Sequence, residues 1–303
     1  MPSPPVAVVD RAREIELVRA ALAAGRHVLL EGPPGTGKST LLRSIAAGDG
    51  AAFEFVEGTA ELTPARLVGH FDPARVMAEG YDPDVFVDGP LLRAVRDGAL
   101  LYIEEINRVP EETLNVLVTV MSEREVTVPR LGRVPAAAGF RLVAAMNPFD
   151  AIGTARISGA VYDRVCRVAM GYQDAPAEVS IVLAQVAMVG DDIVRRAVGV
   201  VRDTRNHGDL ITGSSVRGAI DMCAIAVELA GLRDTGVSDP AVTLDAALVA
   251  LSGRVRRRDG VSRSTEDIIS ELWQRWFVDR APSDDGGDPA AGKVPSPAGS
   301  PTG

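Results

Sequence analysis

Short apolar runs recur along the first half of the chain, separated by stretches with helix-like patterning. HVLLE (27–31), FEFVE (53–57), ALLYIEE (99–105) and FRLVAAMN (140–147) are each about strand length. Strands alternating with helices over residues 8–170 predict an α/β fold built on a parallel sheet. From about residue 172 the strand signals stop. Five helical stretches follow, at 175–188, 192–206, 214–231, 243–258 and 264–277, and predict a small all-helical domain. The last 23 residues carry five Pro and five Gly, a composition that cannot bury a core, so a disordered tail is expected there. The expected division is a core domain over 1–171, a helical lid over 172–280 and the tail over 281–303. No internal repeat of solenoid length is present.

Composition narrows the function classes. The 303 residues are 46% hydrophobic and 24% charged, enough for two real cores. A net charge of -9 and a pI near 5.0 argue against a general nucleic-acid-binding surface. The start, MPSPPVAVVD, has neither a basic nor an apolar leader region, and no apolar run reaches the ~18 residues of a membrane span. A soluble, cytoplasmic protein with no membrane partner is expected. Cys166 and Cys223 lie 57 positions apart with no second thiol or histidine cluster nearby, and both read as buried small apolar residues. His27, His70 and His207 are scattered, and Trp273 and Trp276 read as packing within the lid.

Only two of the 32 basic residues are lysines, which makes the place of Lys38 informative. It stands in GPPGTGKS, directly after an apolar strand and before a helix-like run, as the phosphate-loop pattern requires. Gly32, Gly35 and Gly37 let backbone N–H groups close around phosphate oxygens, and the following helix adds its positive end. Pro33 and Pro34 restrict the backbone and pre-form the cradle, which Thr36 and Thr40 complete. Lys38 would reach the β and γ phosphates of ATP, and Ser39 would hold Mg²⁺ through its hydroxyl.

The run LYIEE delivers two adjacent carboxylates, Glu104 and Glu105. Side chains alternate along a regular strand, so the two cannot do the same work. Glu104 would support Mg²⁺ and Glu105 would polarise the attacking water. An Asp is usual at the first position; Glu104 is about 1.3 Å longer and suits a contact through a metal-bound water. Forty residues on, another apolar strand ends in Asn147, whose amide could orient that water.

Taken in order, GPPGTGKS, the GPL segment, EINR, the LN-containing helix and AAMNP resemble an AAA+ ATPase of the MoxR branch, over about residues 8–258. The resemblance implies a five-stranded αβα sandwich followed by a helical lid. It places a family insertion at 67–89 and a hairpin at 123–143, both protruding toward a substrate or pore. It makes Arg164, in AVYDRVCRV, the finger that reaches a neighbouring subunit's γ-phosphate, and Arg217 the sensor 2 arginine behind capping Ser214 and Ser215. It also implies a ring, a hexamer, that couples hydrolysis to remodelling of a client, with a von Willebrand A (VWA) domain partner. YIEEINR and PFD resemble the branch that matures molybdenum-containing carbon monoxide dehydrogenase. Two alternatives stand beside this reading: a nucleotide-gated scaffold with little hydrolysis, and a restriction-type or nucleic-acid-linked NTPase.

Overall fold

The computed structural model of the chain describes residues 9–148 and 159–279. Two compact units make it up, Met1–Ile181 and Val182–Gly303. In chain order the first carries α1 (Ala12–Ala23), β1 (His27–Glu31), α2 (Lys38–Asp49), β2 (Phe53–Glu57), α3 (Pro64–Val68), β3 (Gly69–Phe71) and α4 (Pro73–Glu79). It continues through β4 (Phe86–Asp88), α5 (Pro90–Asp97), β5 (Leu100–Glu104), α6 (Glu111–Glu123), β6 (Glu125–Val128), β7 (Gly132–Pro135), β8 (Arg141–Met146), α7 (Gly159–Tyr162) and β9 (Val165–Ala169). Next come α8 (Ala175–Gln185), α9 (Asp191–Asn206), β10 (Leu210–Thr212), α10 (Val216–Arg233), α11 (Pro240–Leu251), β11 (Arg256–Arg257) and α12 (Thr265–Phe277). The tail expected over 281–303, and Phe149 and Asp150 of the PFD stretch, lie outside the described residues. No helix among the described residues is long and apolar enough to cross a membrane.

Five strands form the main sheet in the order β2-β5-β8-β1-β9, all parallel. Alternate residues of its central strands feed two cores. Leu29, Leu101, Ile103, Leu142 and Ala144 pack with Leu67, Leu91, Leu92, Leu114 and Leu117 of α3, α5 and α6. On the other face Val28, Leu30, Tyr102, Val143 and Ala145 pack with Val18, Leu41, Leu42 and Ile45 of α1 and α2. Burial on both faces is why these strands read as unbroken apolar runs. Each fully buried leucine contributes about 1.5–3 kcal/mol, so the three-layer sandwich holds the strand ends firmly.

At the edge, β9 behaves differently. Its burial alternates irregularly and Cys166 is exposed, which corrects the buried reading; an edge strand has one neighbour and a less covered face. Cys223, in α10, is buried as expected, and burial pushes its thiol up to about 12. His27 opens β1 in a buried position, where its Nδ1 accepts the Leu142 N–H at 2.8 Å. Burial first, then the charges of Arg141 and Arg124, lower its pKa to about 4, so the ring is neutral at pH 7.

The insertion and the hairpin both form. Antiparallel β3 and β4 bracket α4 in the insertion, and antiparallel β6 and β7 turn through Pro129, Arg130 and Leu131. Arg130, in the left-handed region at φ 69°, places its guanidinium 3.6 Å from the ring centroid of Tyr81. That contact joins the two elements. Met77, Tyr81 and Val87 of the insertion are exposed, Met77 at 91%.

In the second unit Trp273 is buried and donates Nε1–H to Thr243 Oγ1 at 3.1 Å, while Trp276 donates to Asp203 Oδ2 at 2.8 Å. Both serve packing, as expected. Three details differ from the sequence expectation. The unit is not wholly helical, because β10 and β11 pair antiparallel. The helix expected over 243–258 begins earlier, where Asp239 caps Ala241 and Val242 N–H groups and Pro240 takes the first turn, and it ends at Leu251. Neither Ser214 nor Ser215 caps α10 through its side chain; the buried Ser214 instead donates its N–H to Thr204 Oγ1 and its hydroxyl to the Ser215 carbonyl.

Candidate functional site

The carboxyl ends of β5, β8 and β1 lie side by side in the middle of the sheet, with β8 between the other two. In parallel sheets this edge is where ligands bind. The sequence candidates converge on it from three strands: Gly32 to Thr40 follow β1, Asn147 directly follows β8, and Glu104 ends β5 with Glu105 next. Asn147 therefore stands between the phosphate loop and the carboxylates.

Close backbone packing sets the start of the loop. The Gly32 N–H donates to the Met146 carbonyl at 3.2 Å, and the Met170 N–H donates to the Glu31 carbonyl at 2.7 Å. A Cβ on Gly32 would sit 2.1 Å from the Met170 carbonyl oxygen, so only glycine passes there. After Pro33 and Pro34, Gly35 and Gly37 adopt φ of 73° and 82°, and Gly37 caps α2 at Lys38. Thr36 is buried, donating Oγ1–H to the Pro33 carbonyl at 3.0 Å. Lys38 Nζ donates to the carbonyls of Gly32 and Pro33, both at 2.8 Å, which holds the ammonium over the loop. Ser39 and Thr40, half-buried, occupy the first turn of α2, where free N–H groups and the helix dipole favour an anion.

Glu104 and Glu105 are separated by the end of the strand. The Ser39 hydroxyl donates to Glu104 Oε1 at 2.7 Å. Both oxygens are hard donors of the kind Mg²⁺ takes, so this pair fits the ion. Among the described residues no cluster of three His, Cys, Asp or Glu forms, so Ser39, backed by Glu104, would share Mg²⁺ with phosphate oxygens and water. When bound, the ion would neutralise charge developing on the phosphates. Glu105 leaves the strand in the left-handed region, at φ 52° and ψ 45°, and its carboxylate meets Arg108 Nη1 at 2.9 Å. A glutamate there is strained by about 1–3 kcal/mol and persists because its surroundings hold it.

Part of that hold comes from β2. The Gly58 N–H donates to the Glu104 carbonyl at 2.7 Å, and a Cβ at Gly58 would fall 2.5 Å from the Glu105 carbonyl oxygen. Gly58→Ala is therefore expected to push the Glu105 turn outward and cut turnover at least about tenfold, since misplacing a reacting group by about 1 Å can cost 10²-fold. Measured nucleotide affinity should change little. Wild-type turnover in Gly58→Ala would show that this packing does not position Glu105.

Three supporting residues escape sequence reasoning. Arg11 is buried, and its guanidinium bridges the Thr36 carbonyl at 3.2 Å and the Gly171 carbonyl at 2.6 Å, tying the loop to the chain after β9. Nothing local marks it, because the partners are remote in sequence. Tyr102 is fully buried with its hydroxyl 3.4 Å from Ser39 Oγ; burial raises its pKa far above the usual phenol value, so it keeps its proton. Its signal was the alternation that puts it on the Glu104 face. Ser122 is the third. Its Oγ accepts from Arg164 Nε at 2.5 Å, while Arg164 Nη1 donates to the Ala160 carbonyl at 2.8 Å.

Arg164 sits away from the phosphate loop. It precedes β9, which pairs with β1 from His27↔Val165 to Glu31↔Ala169, so it lies at the amino edge of the sheet. Five residues of strand, about 16 Å, separate the two edges. There Arg164 lines a cavity of about 380 Å³ with Arg26, His27, Ser122, Arg124 and Asp163. Its contact with Asp163, at 3.7 Å, is longer than that with Ser122, and Asp163 is 83% exposed. Arg217 is an exposed residue in the first turn of α10 and belongs to the second compact unit.

Comparison with known proteins places this geometry. Residues 27–165 match the AAA domain (dynein-related subfamily). An uncharacterised protein of Staphylococcus aureus strain USA300 is 30% identical over 211 residues, covering 68% of this chain and 80% of its own length. One from Staphylococcus haemolyticus is 30% identical over 210 residues, 67% of this chain and 79% of its own. The Thermotoga maritima RuvB Holliday junction branch migration motor shares the fold with a TM-score of 0.51 at 17% identity, over 78% of this chain and 67% of that one. NtrX of Brucella abortus does so with a TM-score of 0.53 at 18% identity, over 74% of this chain and 51% of that one. With a phosphate loop, a hydroxyl–carboxylate pair and an asparagine at one edge of an AAA sheet, the chain belongs to the AAA domain family, dynein-related subfamily, and is an ATP hydrolase.

Proposed function

We propose that this chain is a MoxR-type AAA+ ATPase that assembles into a hexameric ring and uses Mg²⁺-dependent ATP hydrolysis to remodel a client protein. Lys38 and the loop amides bind the phosphates, Ser39 ligates Mg²⁺, and Glu104 supports the ion from one step further out. The 2.7 Å bond from Ser39 to Glu104 favours that division, because a carboxylate accepting the serine proton acts on the ligand. Glu105 polarises the attacking water, with Asn147 orienting it from the neighbouring strand. Arg164 completes the site of the next subunit, and Arg217 serves as the sensor 2 arginine.

The observation that carries the remodelling role is the Arg130–Tyr81 contact. It couples the insertion, with its exposed Met77 and Tyr81, to the hairpin before β8, the strand that Asn147 follows. Movement at the nucleotide can thus reach an apolar surface able to grip a client. A VWA-domain partner and a role in metal-cofactor maturation belong to the same reading. Its test is client capture by the Glu105→Gln chain loaded with ATP. Proteins retained by this bait should be lost when Met77→Ser and Tyr81→Ala are added. An unchanged set would remove the insertion from client binding.

A further inference from the structure

We propose that the Tyr102 hydroxyl is a positioning group for Ser39, fixing the direction of the lone pair that the serine oxygen offers to Mg²⁺. The inference rests on the reading of Ser39 as the metal-side hydroxyl. Tyr102 and Glu104 are two residues apart on β5, so they share the face that looks onto the start of α2. Both reach the same atom: Glu104 Oε1 accepts the Ser39 proton at 2.7 Å, and the Tyr102 hydroxyl donates to Ser39 Oγ at 3.4 Å.

A serine oxygen has one proton and two lone pairs. Glu104 accepts the hydrogen bond that the serine proton makes, and Tyr102 donates to one lone pair. A single lone pair then remains, and its direction is set by the other two contacts. The phenol packs against Phe53 and Phe55 of the neighbouring β2, with ring centroids 6.1 and 5.7 Å away. Tyr102 is fully exposed to none of the solvent, at 0% accessibility, and Ser39 is its hydrogen-bond partner. A phenylalanine would fill nearly the same volume without burying a hydroxyl, so packing alone gives no reason for the oxygen. The 3.4 Å separation is long for an O–H···O bond, so the phenol steers the serine rather than locking it.

The test uses the full chain as wild type, Tyr102→Phe, Ser39→Ala and the double variant. Binding of a fluorescent ATP analogue is titrated with Mg²⁺, and thermal melting is followed without nucleotide. Tyr102→Phe should raise the Mg²⁺ concentration needed for half-maximal enhancement of binding about two- to threefold, the low end of the scale of one hydrogen bond. Metal-free binding and the melting temperature should stay at wild-type values. In the Ser39→Ala background the Tyr102→Phe shift should vanish. Unchanged Mg²⁺ dependence in Tyr102→Phe, a shift that persists without Ser39, or a lower melting temperature would each overturn the proposal, the last by assigning the hydroxyl to the fold. If Ser39→Ala alone leaves the Mg²⁺ dependence unchanged, the metal-side reading of Ser39 fails first, and its failure is seen in that variant rather than in Tyr102→Phe.

Discussion

Glu105→Gln is expected to bind ATP with wild-type affinity and release phosphate about 10²–10⁴-fold more slowly. The change keeps the size and reach of the side chain and removes its charge, and with the charge its ability to take a proton. Glu105 also keeps its place, because the turn is set by backbone contacts: the Gly58 N–H to the Glu104 carbonyl, and the Arg108 N–H to the Glu105 carbonyl at 2.9 Å. The Arg108 ion pair, at 2.9 Å, does not oppose this role. Both side chains are more than a third exposed, and such pairs are worth at most about 1 kcal/mol, so a substrate water can displace it. Steady-state phosphate release with matched binding curves checks the expectation. Turnover within a few-fold of wild type would strip Glu105 of the base role and favour a nucleotide-gated scaffold.

Arg164→Ala should cost about 10³-fold in turnover while leaving the chain's own nucleotide binding unchanged. The geometry gives the reason. Arg164 lies at the amino edge of the sheet and the phosphate loop at the carboxyl edge, so the guanidinium of one copy cannot meet its own γ-phosphate across the strands. It is nonetheless held ready, by Ser122 Oγ at 2.5 Å and the Ala160 carbonyl at 2.8 Å. A planar guanidinium suits the charge spread over a transferring phosphoryl group. Phosphate release and binding of a fluorescent nucleotide separate the two effects. A parallel loss of binding would instead make Arg164 a residue of its own subunit's fold or site.

Why some of this was legible in the sequence and some was not follows from the sheet. β1, β5 and β8 are buried on both faces, so each reads as an apolar run, and each run leads into a candidate site residue: Gly32, Glu104 and Asn147. A site at the carboxyl ends of such strands is written into their last letters. The edge strand β9 carries Cys166 and Arg167 in exposed positions, so its run is broken and it entered only through the family resemblance. Its Arg167 pairs with Glu31 at 2.7 and 2.8 Å and holds that carboxyl below its usual range, a bond between strands 136 residues apart. Partners remote in sequence likewise hid Arg11, 160 residues from Gly171, and Ser122, 42 residues from Arg164. Glu105 was assigned by strand alternation, yet the strand stops at Glu104 and a left-handed residue aims the second carboxylate. In the second unit, β10 and β11 are too short, at three and two residues, to leave a periodic signal.

The central claim is that hydrolysis needs residues from two copies of the chain, and mixing two inactive variants tests it most directly. An Arg164→Ala chain keeps Glu105 in its own site, and a Glu105→Gln chain can lend its Arg164 to a neighbour. In rings formed at random from equal amounts, about one interface in four joins an intact site to an intact finger. If sites fire independently, the mixture should release phosphate at about a quarter of the wild-type rate, far above either parent. A mixture no faster than the sum of its parents would contradict the account and place Arg164 outside the reacting site.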